Sequence, residues 1–221
     1  VEAAITEETV AILLEPIQGE SGIVAPPPGF LARMRNLASA RRVLLMIDEI
    51  QSGLGRTGKL FCFEHEGIRP DIVIIGKALG GGIVPISGIL ADDEVMGVFK
   101  PGDHGSTFGG NPLACAVARV ALAVLVEEGL VENSARLGEY FLQGLQALGS
   151  PHVKEIRGRG LWIGMELNPE AGGARRYCEA LKQVGLLCKE THTHTIRFAP
   201  PLVITKGEID WALERLAGVM K

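Results

Sequence analysis

Val10-Ala11-Ile12-Leu13-Leu14, Val43-Leu44-Leu45-Met46-Ile47 and Ile72-Val73-Ile74-Ile75 are three short runs of mostly branched apolar side chains. Between the first two lies Phe30–Arg42, where Phe30, Leu31, Met34, Leu37 and Ala38 recur at helical spacing. Runs this short and continuous predict strands buried in a sheet, and the 3.6-residue period predicts a helix with one packed face. Strand, helix, strand in succession implies parallel neighbours joined by a right-handed crossover. Ala25-Pro26-Pro27-Pro28-Gly29 halts the chain ahead of the helix, and Ser87–Ala91 offers a fourth strand. The class is α/β.

Working outward, Pro112–Glu128 and Val131–Leu148 read as long helices separated by Gly129. After Gly149-Ser150-Pro151 the pattern changes. Val153–Ile156, Leu161–Leu167, Leu186–Cys188 and Thr195–Phe198 are strand candidates around a helix at Ala174–Val184. Thr205-Lys206-Gly207-Glu208 has the capping-box pattern that opens a last helix. The expected division is a large α/β domain over 1–149 and a small α+β domain over 150–221, a plausible domain size.

Composition narrows the function. With 221 residues, Lys+Arg 22 against Asp+Glu 26 and a net charge of −4, the chain has no basic surplus for nucleic acid or an anionic membrane. Its longest apolar stretch, Val120–Val126 preceded by Leu113–Ala118, is broken by Arg119 and falls short of a membrane span. Cys62, Cys115, Cys178 and Cys188 are widely spaced without a C-x-x-C pair, so they read as small buried hydrophobes in a reducing compartment, here the cytoplasm. The chain opens Val1-Glu2-Ala3 with no signal-peptide pattern; it reads as the middle of a longer protein, whose targeting segment would lie upstream.

Two glycine motifs are decoys. Gly53-Leu54-Gly55-Arg56-Thr57-Gly58 matches G-x-G-x-x-G, and with Lys59 it nearly spells a P-loop. Leu60 stands where a P-loop needs Ser or Thr, and Asp48–Ser52 separate the strand from the first glycine. A plain glycine-rich turn is expected, with Arg56 in a structural ion pair. His192 and His194 have no third ligand in sequence, so no metal site is expected.

The stronger signal lies just past the strand ends. Ligands of open parallel sheets sit beyond the carboxyl ends of the strands. Glu15 comes after the first strand, Asp48 after the second and Gly76-Lys77 after the third. A lone acid there reads as a cap or a surface charge. An acid and a lysine at one edge suit pyridoxal phosphate (PLP), which needs an amine to hold it covalently and an acid to keep its pyridine nitrogen protonated. Gly80-Gly81-Gly82 would leave room for such a group.

Four stretches then carry a resemblance: Leu14-Glu15-Pro16-Ile17-Gln18-Gly19-Glu20, Asp48-Glu49-Ile50-Gln51-Ser52-Gly53, Gly76-Lys77-Ala78-Leu79-Gly80-Gly81-Gly82, and His104-Gly105-Ser106-Thr107-Phe108-Gly109-Gly110-Asn111-Pro112. Their order and spacing resemble the class III, PLP-dependent aminotransferases. Within that class, Cys188-Lys189-Glu190-Thr191-His192 and Arg197-Phe198-Ala199-Pro200-Pro201-Leu202 look most like the ornithine aminotransferases. The resemblance implies the fold-type I architecture of PLP-dependent transferases, part of the large mixed or parallel-sheet domain plus the small C-terminal domain, without the N-terminal half of the family chain.

It also implies site residues. Lys77 would hold the cofactor and move the proton, Asp48 would pair with the pyridine nitrogen, and Gln51 would contact the ring oxygen. Ser106 and Thr107 would bind the phosphate of the partner subunit's cofactor, which implies a homodimer with shared sites. Arg197 would grip the α-carboxylate of glutamate or 2-oxoglutarate, and Glu20 would neutralise it while ornithine is bound. Glu15 receives no role. The implied reaction, in the parent protein, moves the δ-amino group of ornithine to 2-oxoglutarate by a ping-pong route, giving glutamate semialdehyde and glutamate; these 221 residues alone are expected to be inactive. The alternatives are an acetylornithine or other ω-amino-acid aminotransferase, or a truncated, non-catalytic remnant. A mitochondrial matrix location goes with a eukaryotic source.

Overall fold

A computed structural model describes residues 1–221. The chain gathers into two units. One comprises Val1–Pro16, Pro26–Leu54 and Phe61–Glu128, and the other Ile17–Ala25, Gly55–Leu60 and Gly129–Lys221. The expected small domain, 150–221, falls wholly within the second unit, which also takes two short earlier segments and residues 129–149.

The first unit is built on β1 (Ala11–Leu14), α1 (Phe30–Arg41), β2 (Leu44–Asp48), β3 (Ile72–Ile75) and β4 (Gly88–Ala91). The sheet order is β1-β2-β3-β4; the first two pairings are parallel and β3 pairs β4 antiparallel. Leu31, Met34 and Ala38 of α1 pack on Ile12, Leu45 and Ile47, as the helical spacing predicts. Of the strands expected to be buried, β3 is buried on both faces, through Ile72 and Val73, β4 is exposed at Gly88–Leu90, and β1 and β2 are buried on one face only. Leu13 is exposed, and Leu44 and Met46 are half-buried, because α1 covers only the opposite, alternating set of side chains.

Side chains from the β3 approach fasten α1 to the sheet. Its N-terminus has no cap of its own, and the Glu66 carboxylate accepts the N–H groups of Gly29 and Ala32 at 3.2 and 3.0 Å. Asp71 accepts both Arg35 Nη1 and the Leu45 N–H at 2.7 Å, which joins helix, strand and loop. The unit continues through a short α2 (Asp93–Met96) to α3 (Pro112–Glu127), capped by Asn111, whose Oδ1 accepts the Ala114 N–H at 2.9 Å.

The second unit contains α4 (Leu130–Ala147), β5 (Val153–Arg159), β6 (Trp162–Leu167), α5 (Ala174–Gln183), β7 (Lys189–Thr191), β8 (Thr195–Phe198) and α6 (Lys206–Val219). Its sheet is antiparallel throughout, in the order β5-β6-β8-β7. Leu137, Phe141 and Leu145 of α4, Tyr177 and Leu181 of α5, and Ile209 and Leu216 of α6 close over Ile163, Met165 and Ile196. Thr205 and Glu208 form the expected capping box at α6. The strand expected at Leu186–Cys188 is displaced to Lys189–Thr191. Pairing with β8 selects those residues, whereas Leu186 and Cys188 pack on the core from the connection and Leu187 is left exposed. No helix is long and apolar enough to cross a membrane.

The decoy glycines have a packing explanation. Gly58, at φ +83°, lies so close to α4 that a Cβ would stand 2.8 Å from the Ala135 Cα. At Gly138, on the same helix, a Cβ would meet the Gly160 carbonyl carbon at 2.1 Å. Only a bare backbone fits there. Gly138→Ala is therefore expected to destabilise this unit by about 1–3 kcal/mol. Gly218→Ala, where a Cβ meets nothing, should stabilise α6 by roughly 0.5–1 kcal/mol. Trp162 and Trp211 both belong to this unit, so urea titration followed by tryptophan fluorescence reads both changes.

Candidate active site

Two parallel strands bring the first group together. The β2–β3 register sets Asp48 opposite Ile74, so Asp48 and the Gly76-Lys77 step emerge at one sheet edge. The Asp48 carboxylate is oriented by the Ile50 N–H, which donates to Oδ1 at 2.9 Å. Lys77 opens a short 3₁₀ turn, Lys77–Gly80, with a left-handed φ of 48°. A lysine in that region is strained, a condition that persists only where the surroundings impose it. Its Nζ donates to Gln51 Oε1 at 3.4 Å. Amine and amide thus meet beside the strand-end acid.

Lys77 lines a cleft of about 370 Å³ with Pro85, Ile86, Ser87, Ala114 and the loop Phe108–Asn111. Asn111 fixes that loop from the helix end, since its Nδ2 donates to the Phe108 carbonyl at 2.9 Å. Ser106 and Thr107 precede this wall and do not line it. Both are exposed, and the Ser106 Oγ accepts the Gly109 N–H at 3.0 Å. Glu15 is exposed just beyond β1.

Glu49 is a residue that sequence reasoning misses. Only 1 % exposed, it accepts the Ser52 hydroxyl at 2.6 Å and the Phe63 N–H at 3.0 Å, and its own carbonyl accepts the Gly53 N–H. The turn that carries Gln51 is pinned through this one side chain. Burial pushes the Glu49 carboxyl above its ordinary range, while the Ser52 hydroxyl and the Cys62 and Phe63 N–H groups pull it back. Its signal in the sequence is slight: an acid next to a strand-end acid, with a serine three residues on.

The second group lies within the other unit. Arg197, in mid-β8, faces Gly164 on β6 and Lys189 on β7. Its Nη1 donates to Glu20 Oε1 at 2.9 Å. The Arg197 side chain is 17 % exposed and that of Glu20 66 %, so the cation is covered and its partner reaches in from solvent.

Arg56 departs from expectation. It forms no ion pair: its Nη1 donates to the carbonyls of Leu161 and Pro200 at 3.0 and 2.6 Å, and burial lowers its pKa to about 10. The 53–60 turn has no acid within reach of that guanidinium, so carbonyl dipoles take the place of a counter-ion. No group of three or more His, Cys, Asp or Glu is placed to hold a metal ion, and His192 and His194 join none.

Residues 1–220 match the family described as Aminotransferase class-III. This chain is a class III aminotransferase by family. Ornithine aminotransferase 2 of Staphylococcus saprophyticus is 57 % identical over 221 residues, covering 100 % of this chain and 55 % of that protein. Among solved structures, ornithine aminotransferase PY00104 from Plasmodium yoelii aligns with a TM-score of 0.92 at 43 % identity, over 95 % of this chain and 56 % of that one. An acetylornithine aminotransferase from Elizabethkingia anophelis also aligns at 0.92, with 45 % identity, over 95 % of this chain and 53 % of that one. The chain spans about half the length of the curated relatives it matches. The α/β architecture with a mixed sheet is that of the class III aminotransferase family.

Glu49 supplies a pH test of this packing. A carboxyl whose folded pKa lies above its ordinary value of 4.5 holds its proton longer in the folded chain than in the unfolded one. Its contribution to stability therefore falls as pH rises from about 4.5 through the raised value. Glu49→Gln keeps an acceptor for Phe63, and its NH₂ can donate to the Ser52 oxygen. The variant should gain stability relative to wild type as pH rises through that window and hold a constant difference above it, measured by thermal melts between pH 4 and 8. Glu49→Ala, which strands the Ser52 and Phe63 donors, should lose about 2–4 kcal/mol below that window and less above it, where the wild type has itself lost stability.

Proposed function

We propose that this chain forms part of an ornithine δ-aminotransferase, with pyridoxal phosphate as cofactor, transferring the δ-amino group of ornithine to 2-oxoglutarate, and that residues 1–221, about half the length of the matched relatives, do not carry out the transfer alone. The observation that carries the proposal is the convergence of Lys77, Gln51 and Asp48 at one sheet edge, with a separate covered arginine, Arg197, paired to a carboxylate. The donor set fits that cofactor. It offers an amine for a carbonyl, a carboxylate for a pyridine nitrogen and an amide for a ring oxygen. Bound there, the cofactor would supply an electron sink for the carbon that carries the reacting amine.

Each side chain then has a role. The Lys77 Nζ holds the cofactor covalently at rest, and when free it takes the proton from the substrate carbon and returns one. Asp48 would hold a proton on the ring nitrogen of the bound cofactor. Gln51 orients the ring oxygen and, through its 3.4 Å bond, the lysine. Exposed Ser106 and Thr107 suit the phosphate of a partner subunit's cofactor in a homodimer with shared sites.

Arg197 and Glu20 select which amine reacts. A free Arg197 would seize the α-carboxylate of ornithine and present its α-amine; pairing with Glu20 removes that attraction and leaves the δ-amine to react. When 2-oxoglutarate arrives, its carboxylate replaces that of Glu20 on the guanidinium, and Glu20, the exposed partner, is the one that moves. Charged hydrogen bonds of about 1.5–3 kcal/mol on both sides keep the exchange reversible.

The likeness to an acetylornithine aminotransferase favours a second reading, in which acetylornithine or another ω-amino acid is the donor on the same Lys77, Asp48 and Gln51. Half-reaction rates with ornithine, acetylornithine and glutamate separate the two, and ornithine should be the fastest donor.

In the cofactor-loaded enzyme, Lys77→Ala should lower transamination by about 10²–10⁴-fold and leave no borohydride-fixed cofactor on the chain by mass spectrometry. Fixed cofactor in that variant would assign the attachment to another lysine. Glu20→Ala should raise the glutamate half-reaction relative to that of ornithine by about 10- to 100-fold, as expected for loss of one charged hydrogen bond. An unchanged ratio would leave the pair as scaffolding.

A further inference from the structure

Glu20 lies on a loop whose backbone is held from several directions. Gln18 and Val24 exchange backbone hydrogen bonds at 3.0 Å across its base. Ile23 sits at φ 56°, a left-handed conformation that a β-branched residue adopts only when its surroundings impose it, and its side chain is fully buried. Beyond the loop, two side chains reach its carbonyls. The Thr191 hydroxyl donates to the Glu20 carbonyl at 2.6 Å. Arg157 donates to the Gly22 carbonyl through Nε at 3.1 Å and Nη2 at 2.9 Å.

Neither donor is itself loose. Thr191 is 5 % exposed and pairs across the strands with Thr195, two residues before Arg197. The Nη1 of Arg157 is held by the carboxylates of Glu155 and Glu166 at 2.7 and 2.5 Å. The guanidinium therefore spans sheet and loop, with charge neutralised on one side and carbonyl contact on the other. At Gly22 itself a Cβ would stand 3.1 Å from the Arg157 Nη2 and 3.2 Å from the Thr195 Oγ1, so loop and strand are in close contact.

We infer that Thr191 and Arg157 are positioning residues: they hold the Glu20 backbone still, so that exchange at Arg197 is a rotation of the Glu20 side chain alone, and they thereby set the preference between the two amino donors. The inference rests on the role proposed above for Glu20 and Arg197. Its physical content is an economy of motion. A carboxylate that leaves by rotating returns to the same place; one that leaves with its loop must re-form the loop each cycle, which weakens its hold on Arg197 relative to an incoming substrate. Because β7 carries Thr191 and pairs with the strand that carries Arg197, the two ends of the ion pair share one rigid support.

The test is a double-mutant cycle in the cofactor-loaded enzyme, reading kcat/KM for the ornithine and glutamate half-reactions separately. Thr191→Val keeps shape and removes the donor. It should shift the ratio towards glutamate by about 3- to 10-fold, the range for loss of one neutral hydrogen bond. Thr191→Ser should restore the ratio. In a Glu20→Ala background, Thr191→Val should shift it no further, because the threonine acts only through Glu20. Arg157→Lys, which keeps the charge and loses the fork, should move the ratio in the same direction.

A shift of equal size with and without Glu20 would make Thr191 a general structural residue and overturn the inference. So would an unchanged ratio in Thr191→Val when Glu20→Ala does change it, and in that case the role of Glu20 and Arg197 would stand. No effect of Glu20→Ala would remove that role, and the positioning role with it.

Discussion

Because β2 and β3 run parallel, in register from Met46 opposite Ile72 to Asp48 opposite Ile74, their carboxyl ends open on the same edge of the sheet. An antiparallel pair would have sent the acid and the lysine to opposite ends. Parallel pairing needs a long crossover, and the 23 residues between Asp48 and Ile72 supply it with the tethered turn at 49–53 and the 3₁₀ turn Cys62–Glu66. Glu49 joins those two pieces by accepting from both. The position of Gln51 beside Lys77 thus stems from strand polarity and one buried carboxylate, and the left-handed turn at Lys77 completes it.

The pair Arg197 and Glu20 is organised differently. Arg197 stands in the interior of an antiparallel sheet, where neighbouring strands restrict it, and its charge is met by an acid on a loop. A covered guanidinium keeps much of its attraction for any carboxylate that reaches it, since fewer waters and ions compete. A carboxylate arriving from outside would make the same contact as Glu20, which is the condition for the exchange proposed above. Arg56, in the same unit, shows the contrast: half-buried, it donates to backbone carbonyls that cannot leave, and has no acid to exchange.

Strand polarity, the α1 packing face, the α6 capping box and the Asp48–Lys77 edge were legible in the sequence because each depends on local spacing. The displaced β7 was not, since cross-strand pairing with β8 overrode the more apolar run at Leu186–Cys188. Nor was the use of Arg56: nothing within its own turn reveals that its acceptors are the carbonyls of Leu161 and Pro200, more than a hundred residues on. The glycines at 53–58 looked like a nucleotide loop because tight turns and close helix approach demand the same residue as phosphate cradles do. Glu49 and Thr191 stand inside the family motifs, and only burial and partners separate them from their neighbours.

The interleaving of the two units has a bearing on how such a chain is made and how it could have been assembled. Segments 17–25 and 55–60 emerge during synthesis long before the strands and helices of their own unit, so they wait while the sheet of the other unit is being completed. Ile23 and the 55–60 turn are left without their core until residues past 129 arrive. The second unit is also not a cassette, because no single cut in the gene would excise it whole. Shuffling of contiguous pieces, the usual route by which domains are exchanged between proteins, would break the loop that carries Glu20 away from the strand that carries Arg197.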